Sequence, residues 1–126
     1  MTDVTFTDLA TLGYREAWDL QQETHSRLMR AKTGESTEEA VPVIFFVEHP
    51  HVFTLGKSGH ENNLLINPGF LDSIGATYFR TDRGGDITYH GPGQLVGYPI
   101  LDLDRLGLGV KNYIHAMEEE IGRAHV

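Results

Sequence analysis

The chain has 126 residues, of which 40% are hydrophobic and 22% charged, a globular composition with room for one domain and a real core and too apolar for a disordered chain. Its 18 acidic and 10 basic side chains give a formal net charge of −8 with no basic cluster, which sets nucleic acid aside and confines any docking of an acidic partner to a local patch. It contains no cysteine, so a disulfide framework, a cysteine-ligated metal and a thiol nucleophile are all excluded within these residues.

In chain order, the start MTDVTFTDLA has neither a basic region nor an apolar run, so it is no signal peptide. Ala17, Trp18, Gln21, His25, Leu28 and Met29 recur at helical spacing and predict a helix over Tyr14–Lys32. Thr33–Glu39 is polar and reads as a loop. Pro42 then precedes Val43–Val47, an apolar run that suits a strand buried on both faces and is far too short to cross a bilayer. A second strand is predicted over His51–Leu55, stopped by Gly56. Asn67 as cap, Pro68 at the first position and Gly75 at the end frame a short helix. Strands at Ala76–Thr81 and Asp86–His90 flank the turn Asp82-Arg83-Gly84-Gly85, and Gln94–Leu101 is a further strand, with Pro99 marking a bulge or an edge. A last helix starts near Lys111, with Tyr113, Ile114, Met117 and Ile121 on one stripe. These elements predict an α+β domain built on a largely antiparallel or mixed sheet, soluble and cytoplasmic. The stripe of the last helix has barely begun at Val126, which points to an incomplete domain.

The segment Arg83-Gly84-Gly85-Asp86-Ile87-Thr88-Tyr89-His90-Gly91-Pro92-Gly93-Gln94 is the most informative. Adjacent glycines let backbone approach a ligand and expose N–H groups, and an arginine beside them can hold a carboxylate, a phosphate or a carbonyl oxygen. In the strand that follows, Asp86, Thr88 and His90 share one face, and Ile87 and Tyr89 the other. A lone Arg-Gly-Gly is most simply a hairpin turn, but twelve residues in this order ask for more. His49 and His51 on alternating faces, with His60 or His90, are a conceivable metal set, though exposed or hydrogen-bonded histidines are the simpler reading. Glu118-Glu119-Glu120 reads as a solvated helix face.

Tyr14–Gln21 (YREAWDLQ), Glu48–Gly56 (EHPHVFTLG) and Arg83–Leu103 (RGGDITYHGPGQLVGYPILDL) together resemble the lipoyl(octanoyl) transferases. The similarity covers nearly the whole chain but only the N-terminal portion of that family's domain, so residues 1–126 are expected to be the C-terminally truncated part of a single catalytic domain. The resemblance implies the biotin/lipoate protein ligase fold, a mixed sheet flanked by helices. It implies a substrate-binding stretch at Arg83, Gly84, Gly85, Asp86, Ile87, Thr88, Tyr89 and His90, with Tyr14 and His49 bordering the pocket.

The activity implied is transfer of an octanoyl or lipoyl group from acyl carrier protein to the lysine of a lipoyl domain. A cysteine thiolate, activated by a lysine, takes the acyl group and releases the carrier thiol; the acceptor amine then forms the amide and frees the thiolate. Thioester to amide runs downhill, so no cofactor, ATP or metal is implied. Both the cysteine and the activating lysine belong to the portion of the family's domain that this sequence does not contain, and neither role passes to any residue here. The chain itself is therefore expected to be inactive, with its exposed edge covered by a second copy. An ATP-dependent lipoate ligase, a non-catalytic acyl-binding or dimerising fragment, and a metal hydrolase using His49, His51 and His90 are the rival readings.

Overall fold

The computed structural model describes residues 4–35, 40–57 and 68–124. In chain order these form β1 (Thr5–Thr11), α1 (Tyr14–Thr33), β2 (Val43–Glu48), β3 (Val52–Leu55), α2 (Pro68–Ser73), β4 (Thr77–Arg80), β5 (Ile87–His90), β6 (Val96–Ile100), α3 (Leu103–Leu106) and α4 (Val110–Ala124). The α+β expectation holds, but the strands divide into two three-stranded sheets in place of one, in the orders β1-β2-β6 and β4-β3-β5. Each sheet is mixed, with one parallel and one antiparallel ladder. The break falls at Pro50, between β2 and β3. Proline brings no N–H to a ladder and restricts the residue before it, so a single strand cannot run through.

Strand β1 is absent from the sequence reading because TFTDLAT offers no apolar run to mark it. It lies parallel to β2, Thr5 opposite Val43 through Asp8 opposite Phe46, and its register shifts between Asp8 and Thr11. Within that shift Ala10 has φ 53, the left-handed region that side chains seldom adopt, and its N–H donates to Asp8 Oδ1 at 2.8 Å. The kink is a bulge that re-aims the chain. Immediately after it, the Leu12 N–H donates to the Glu48 carbonyl at 3.1 Å.

Strand β2 is not buried on both faces as expected. Val43, Phe45 and Val47 are buried, whereas Ile44, Phe46 and Glu48 are half-buried, so one face carries the core and the other is only partly covered. Helix α1 opens after Gly13 and closes on Gly34 at φ 81, whose N–H returns to the Ala31 carbonyl while the Glu35 N–H takes that of Arg30, a left-handed cap that glycine favours. Of its expected stripe, Ala17 and Leu28 are buried, Trp18 and Gln21 half-buried, and His25 and Met29 exposed. Val47, Val52 and Leu55 form the deepest part of the core, each at 1% exposure or less, and fully burying such a side chain contributes about 1.5–3 kcal/mol.

Strands β4 and β5 are not partners across their turn. Both pair with β3, β4 in parallel and β5 antiparallel, so residues 81–86 pass over the end of β3 to reach its far edge. Pro99 does lie in an edge strand, since β6 borders the first sheet. Helix α2 ends at Gly75, φ 69, as expected, while its expected cap Asn67 lies outside the described residues. Helix α3 also escapes sequence reading, although Asp102 caps its start by accepting from the Asp104 N–H and Gly107 closes it at φ 69. The end of α1 is tied to it by Lys32, 3.2 Å from Asp102 and 2.7 Å from Asp104. Among the described residues no helix is long and apolar enough to cross a membrane.

Candidate functional site

Tyr14 is the first residue of α1, His49 follows the last residue of β2, and His90 ends β5. The fold brings these three rings together. Ring centroids lie 5.5 Å apart for Tyr14 and His49, 6.0 Å for His49 and His90, and 6.5 Å for Tyr14 and His90. Phe79 of β4 packs 5.3 Å from Tyr14, and Tyr98 of β6 lies 5.8 Å from His49. The register of the second sheet explains the gathering. Val52 sits opposite Thr77 and His90, and Thr54 opposite Phe79 and Thr88. With side chains alternating along each strand, those residues form one face, and the start of α1 lies against it.

His49 is fully buried, at 0% exposure. Its Nδ1 is 2.8 Å from the Leu12 carbonyl and its Nε2 2.8 Å from the Tyr98 hydroxyl. A carbonyl can only accept, so the proton is on Nδ1, and Nε2 accepts from Tyr98. Burial, and after it the neighbouring Tyr14, push the Tyr98 phenol far above its ordinary value, which keeps it a donor. Burial likewise raises Tyr14, with Asp82 adding to the rise and Arg83 and Arg15 opposing it.

His90 contrasts with His49. Burial lowers its pKa, and the cationic Arg83 lowers it further, so the ring is neutral at pH 7. Among the described residues neither of its nitrogens has a hydrogen-bond partner.

The Arg83-Gly84-Gly85 turn packs over Gly56 at the end of β3. The Gly56 N–H donates to the Asp86 carbonyl at 2.7 Å and the Lys57 N–H to the Arg83 carbonyl at 2.9 Å. A methyl group at Gly56 would strike the carbonyl oxygens of Gly84 and Gly85, so this close approach requires glycine. The Arg83 guanidinium is spent on the protein itself. It donates to the carbonyls of Thr54 (2.8 Å), Gly84 (2.8 Å) and Asp86 (3.0 Å) and to Thr54 Oγ1 (2.9 Å). Of the three acceptor types that sequence allowed Arg83, the structure therefore fills the carbonyl. The N–H groups of Gly84 and Gly85 make no hydrogen bond among the described residues.

The remaining residues of the stretch divide. Thr88 shares the His90 face; Ile87 and Tyr89 lie on the opposite one. Asp86 precedes β5 and contributes its carbonyl to the turn. On the far face Tyr89 hydrogen-bonds to His51 and stands over Gly91, where a methyl group would strike its ring. The second turn is held by Glu48, which accepts from the Gly93 N–H at 2.9 Å. His51 and His49 thus serve opposite sides, and among the described residues no three His, Cys, Asp or Glu side chains converge as a metal set. His60 lies outside the described residues. Tyr14 also lines a cleft of about 100 Å³ with Arg15, Trp18, Phe79 and Arg80, in which none of residues 83–90 takes part. The Arg15 guanidinium sits over the Phe79 ring at 5.1 Å.

Sequence reading missed Tyr98, Phe79, Thr54 and the Leu12 carbonyl. Tyr98 lies within the Arg83–Leu103 motif that carries the resemblance, but its role depends on pairing opposite Phe45 of β2, which only the register reveals.

Comparison with known proteins agrees with the three motifs. Residues 13–125 match the family model described as the lipoyl protein ligase A/B catalytic domain. The chain is similar to an octanoyltransferase of Bacteroides fragilis, 55% identical over 93% of this chain and 52% of that protein. It is likewise similar to one of Bacteroides thetaiotaomicron, 54% identical over 92% and 50%, and to one of Flavobacterium psychrophilum, 47% identical over 90% and 51%. The chain thus spans about half the length of the curated relatives it matches. A solved structure of a bi-partite lipoate protein ligase and its E2 lipoyl domain from Thermoplasma acidophilum overlaps with a TM-score of 0.46 at 16% identity, covering 75% of this chain and 34% of that chain. With residues 13–125 matched, most of its length, the chain belongs to the lipoyl protein ligase A/B catalytic domain family.

Proposed function

We propose that these residues form the N-terminal portion of an octanoyltransferase catalytic domain, working in the cytoplasm. That portion holds an octanoyl thioester delivered by acyl carrier protein for transfer to the lysine of a lipoyl domain. The observation that carries this reading is the convergence of Tyr14, His49 and His90, from three separate elements, on the sheet face that ends at the Arg83-Gly84-Gly85 turn. Aromatic rings and a neutral imidazole offer an apolar wall to an aliphatic thioester, while the unpaired N–H groups of Gly84 and Gly85 are donors for a developing oxyanion. In this reading Tyr14, Thr88, His90 and the backbone of Gly84 and Gly85 face the substrate, Arg83, Asp86 and His49 hold that surface in place, and Ile87 and Tyr89 back it from the other face of the sheet. The similarity to octanoyltransferases supports it.

The chemistry needs a thiolate, and these 126 residues contain no cysteine. The nucleophile must come from outside them, and in this reading the lysine that lowers its pKa comes with it. The 126-residue chain is therefore expected to bind the octanoyl donor without turning it over. Mixing it with octanoyl-carrier protein and a lipoyl domain, and weighing the products by mass spectrometry, tests this. Donor binding with an unmodified lipoyl domain is the expected result. Octanoylation at an enzymatic rate would remove the thiolate requirement, and no binding of the donor would remove the reading. Attachment of lipoate that requires ATP would identify a ligase instead.

A further inference from the structure

We infer that the two histidines of the cluster have divided roles: the Leu12 carbonyl and the Tyr98 hydroxyl lock His49 as a strut with both ring nitrogens occupied, and His90 is the imidazole left free to hydrogen-bond a ligand. Tyr98 is thereby a positioning residue, acting on the site through His49.

The lock has three supports, two of them from distant parts of the chain. The first is the bulge at Ala10. By shifting the register of β1 between Asp8 and Thr11, it delivers Leu12 to the end of β2, where its N–H meets the Glu48 carbonyl and its own carbonyl meets His49. The second is the antiparallel pairing of β6 with β2, Tyr98 opposite Phe45, which sets the phenol 2.8 Å from Nε2. The third is burial, since a fully enclosed imidazole that gave up either bond would leave a polar atom without water to replace the partner. A ring so held cannot pass a proton to a ligand without first breaking a buried bond. His90, 6.0 Å away, has no such commitment. Tyr14 stacks on it and Thr88 shares its face, but neither ring nitrogen is bonded among the described residues.

The ligand is an acyl thioester only if the proposed function holds; the lock on His49 does not depend on it. Long-range nitrogen–proton NMR correlations on the full 126-residue chain, labelled with 15N, test the two separately. His49 is expected to show the pattern of a ring protonated at Nδ1 alone. A pattern of Nε2 protonation, or of averaging between the two nitrogens, overturns the inference. In Tyr98→Phe the Leu12 carbonyl still holds the proton on Nδ1, and the His49 Nε2 signal is expected to move downfield toward that of an unbonded imidazole nitrogen. A purely structural role would lower the melting temperature of that variant and leave the Nε2 signal unchanged, which also overturns the inference. If the variant fails to fold, the unsubstituted protein decides the matter alone. Titrating in a soluble S-octanoyl thioester is then expected to shift the His90 signals and leave the His49 pattern in place. Loss of the His49 pattern on binding overturns the inference. An intact His49 pattern with no shift at His90 supports the lock and counts against the proposed function.

Discussion

Tyr14 and His90 stack almost parallel, 11° between planes at 6.5 Å, although one opens α1 and the other closes β5. The Tyr14 ring also touches Trp18, Phe79 and His49, while its hydroxyl makes no hydrogen bond among the described residues. Its contribution to the fold is therefore the ring. Tyr14→Ala is expected to lower unfolding free energy by about 1–3 kcal/mol, and Tyr14→Phe to stay within about 0.5 kcal/mol of the parent. Urea denaturation of the two variants checks this; equal losses in both would assign the stabilisation to the hydroxyl.

The glycines at the turn are not equivalent. Gly56→Ala drives a methyl group into two backbone carbonyls, whereas a methyl at Gly84 meets nothing within 4 Å. Backbone cannot swing aside as a side chain can, so Gly56→Ala is expected to cost about 2–3 kcal/mol and Gly84→Ala less than about 0.5 kcal/mol. Comparable melting temperatures for the two variants would show that the turn yields.

The tie between Lys32 and Asp102 has a defined pH window. Burial pushes the Asp102 carboxyl up, but the hydrogen bond and charge of Lys32 and the N–H groups of Arg105 and Asp104 outweigh it, leaving the pKa below its ordinary 3.8. Hydrogen bonds to Asp104 and Asp102 raise Lys32 above 10.5. A lowered carboxylate stabilises above its unfolded value and loses that as pH falls through the folded one. A raised lysine stabilises below its unfolded value and loses that as pH rises through the folded one. Lys32→Met is thus expected to melt earlier than the parent at pH 7 and to converge with it only as pH falls below 3.8 and through the lowered folded value. A melting difference unchanged at low pH would mean that the lysine acts through packing.

His90 gives a further test. Because its folded pKa lies below the ordinary 6.5, the unfolded chain binds the proton more readily. The histidine therefore leaves stability intact above about pH 6.5 and erodes it as pH falls toward the folded value. An NMR titration should place its midpoint below 6.5. A midpoint above that would mean that the ring is charged and better solvated than its neighbours allow.

How much of this was legible beforehand depends on what each residue's role rests upon. Helices α1 and α4 show in the spacing of their apolar residues, and α2 in Pro68 and Gly75, because those signals are local. Strand β1 shows nothing local: its residues are mostly exposed and it exists by pairing with β2. Helix α3 is too short for periodicity, though Asp102 and Gly107 spell its two caps. Tyr14, His49 and His90 stand out in the sequence through their motifs, and the structure adds that their rings come together. The division between a bonded and an unbonded histidine was out of reach. It depends on a bulge at Ala10 and on the register of β6, both settled by contacts between distant segments.

No ladder among the described residues joins two strands through a hairpin. β1 and β2 run parallel around α1, β3 and β4 run parallel across α2, and β2–β6 and β3–β5 bring together strands far apart in the chain. Among the described residues there is therefore no short loop whose closure starts a sheet, and each of these pairings bears the entropy of closing a long one before it gains a contact. Folding is accordingly expected on the slow side for this length, in milliseconds to seconds rather than microseconds. During that time the uncovered edge of β2 or β3 is open to the wrong neighbour. The same topology that carries Arg83 over the end of β3 thus makes this chain sensitive to concentration while it folds.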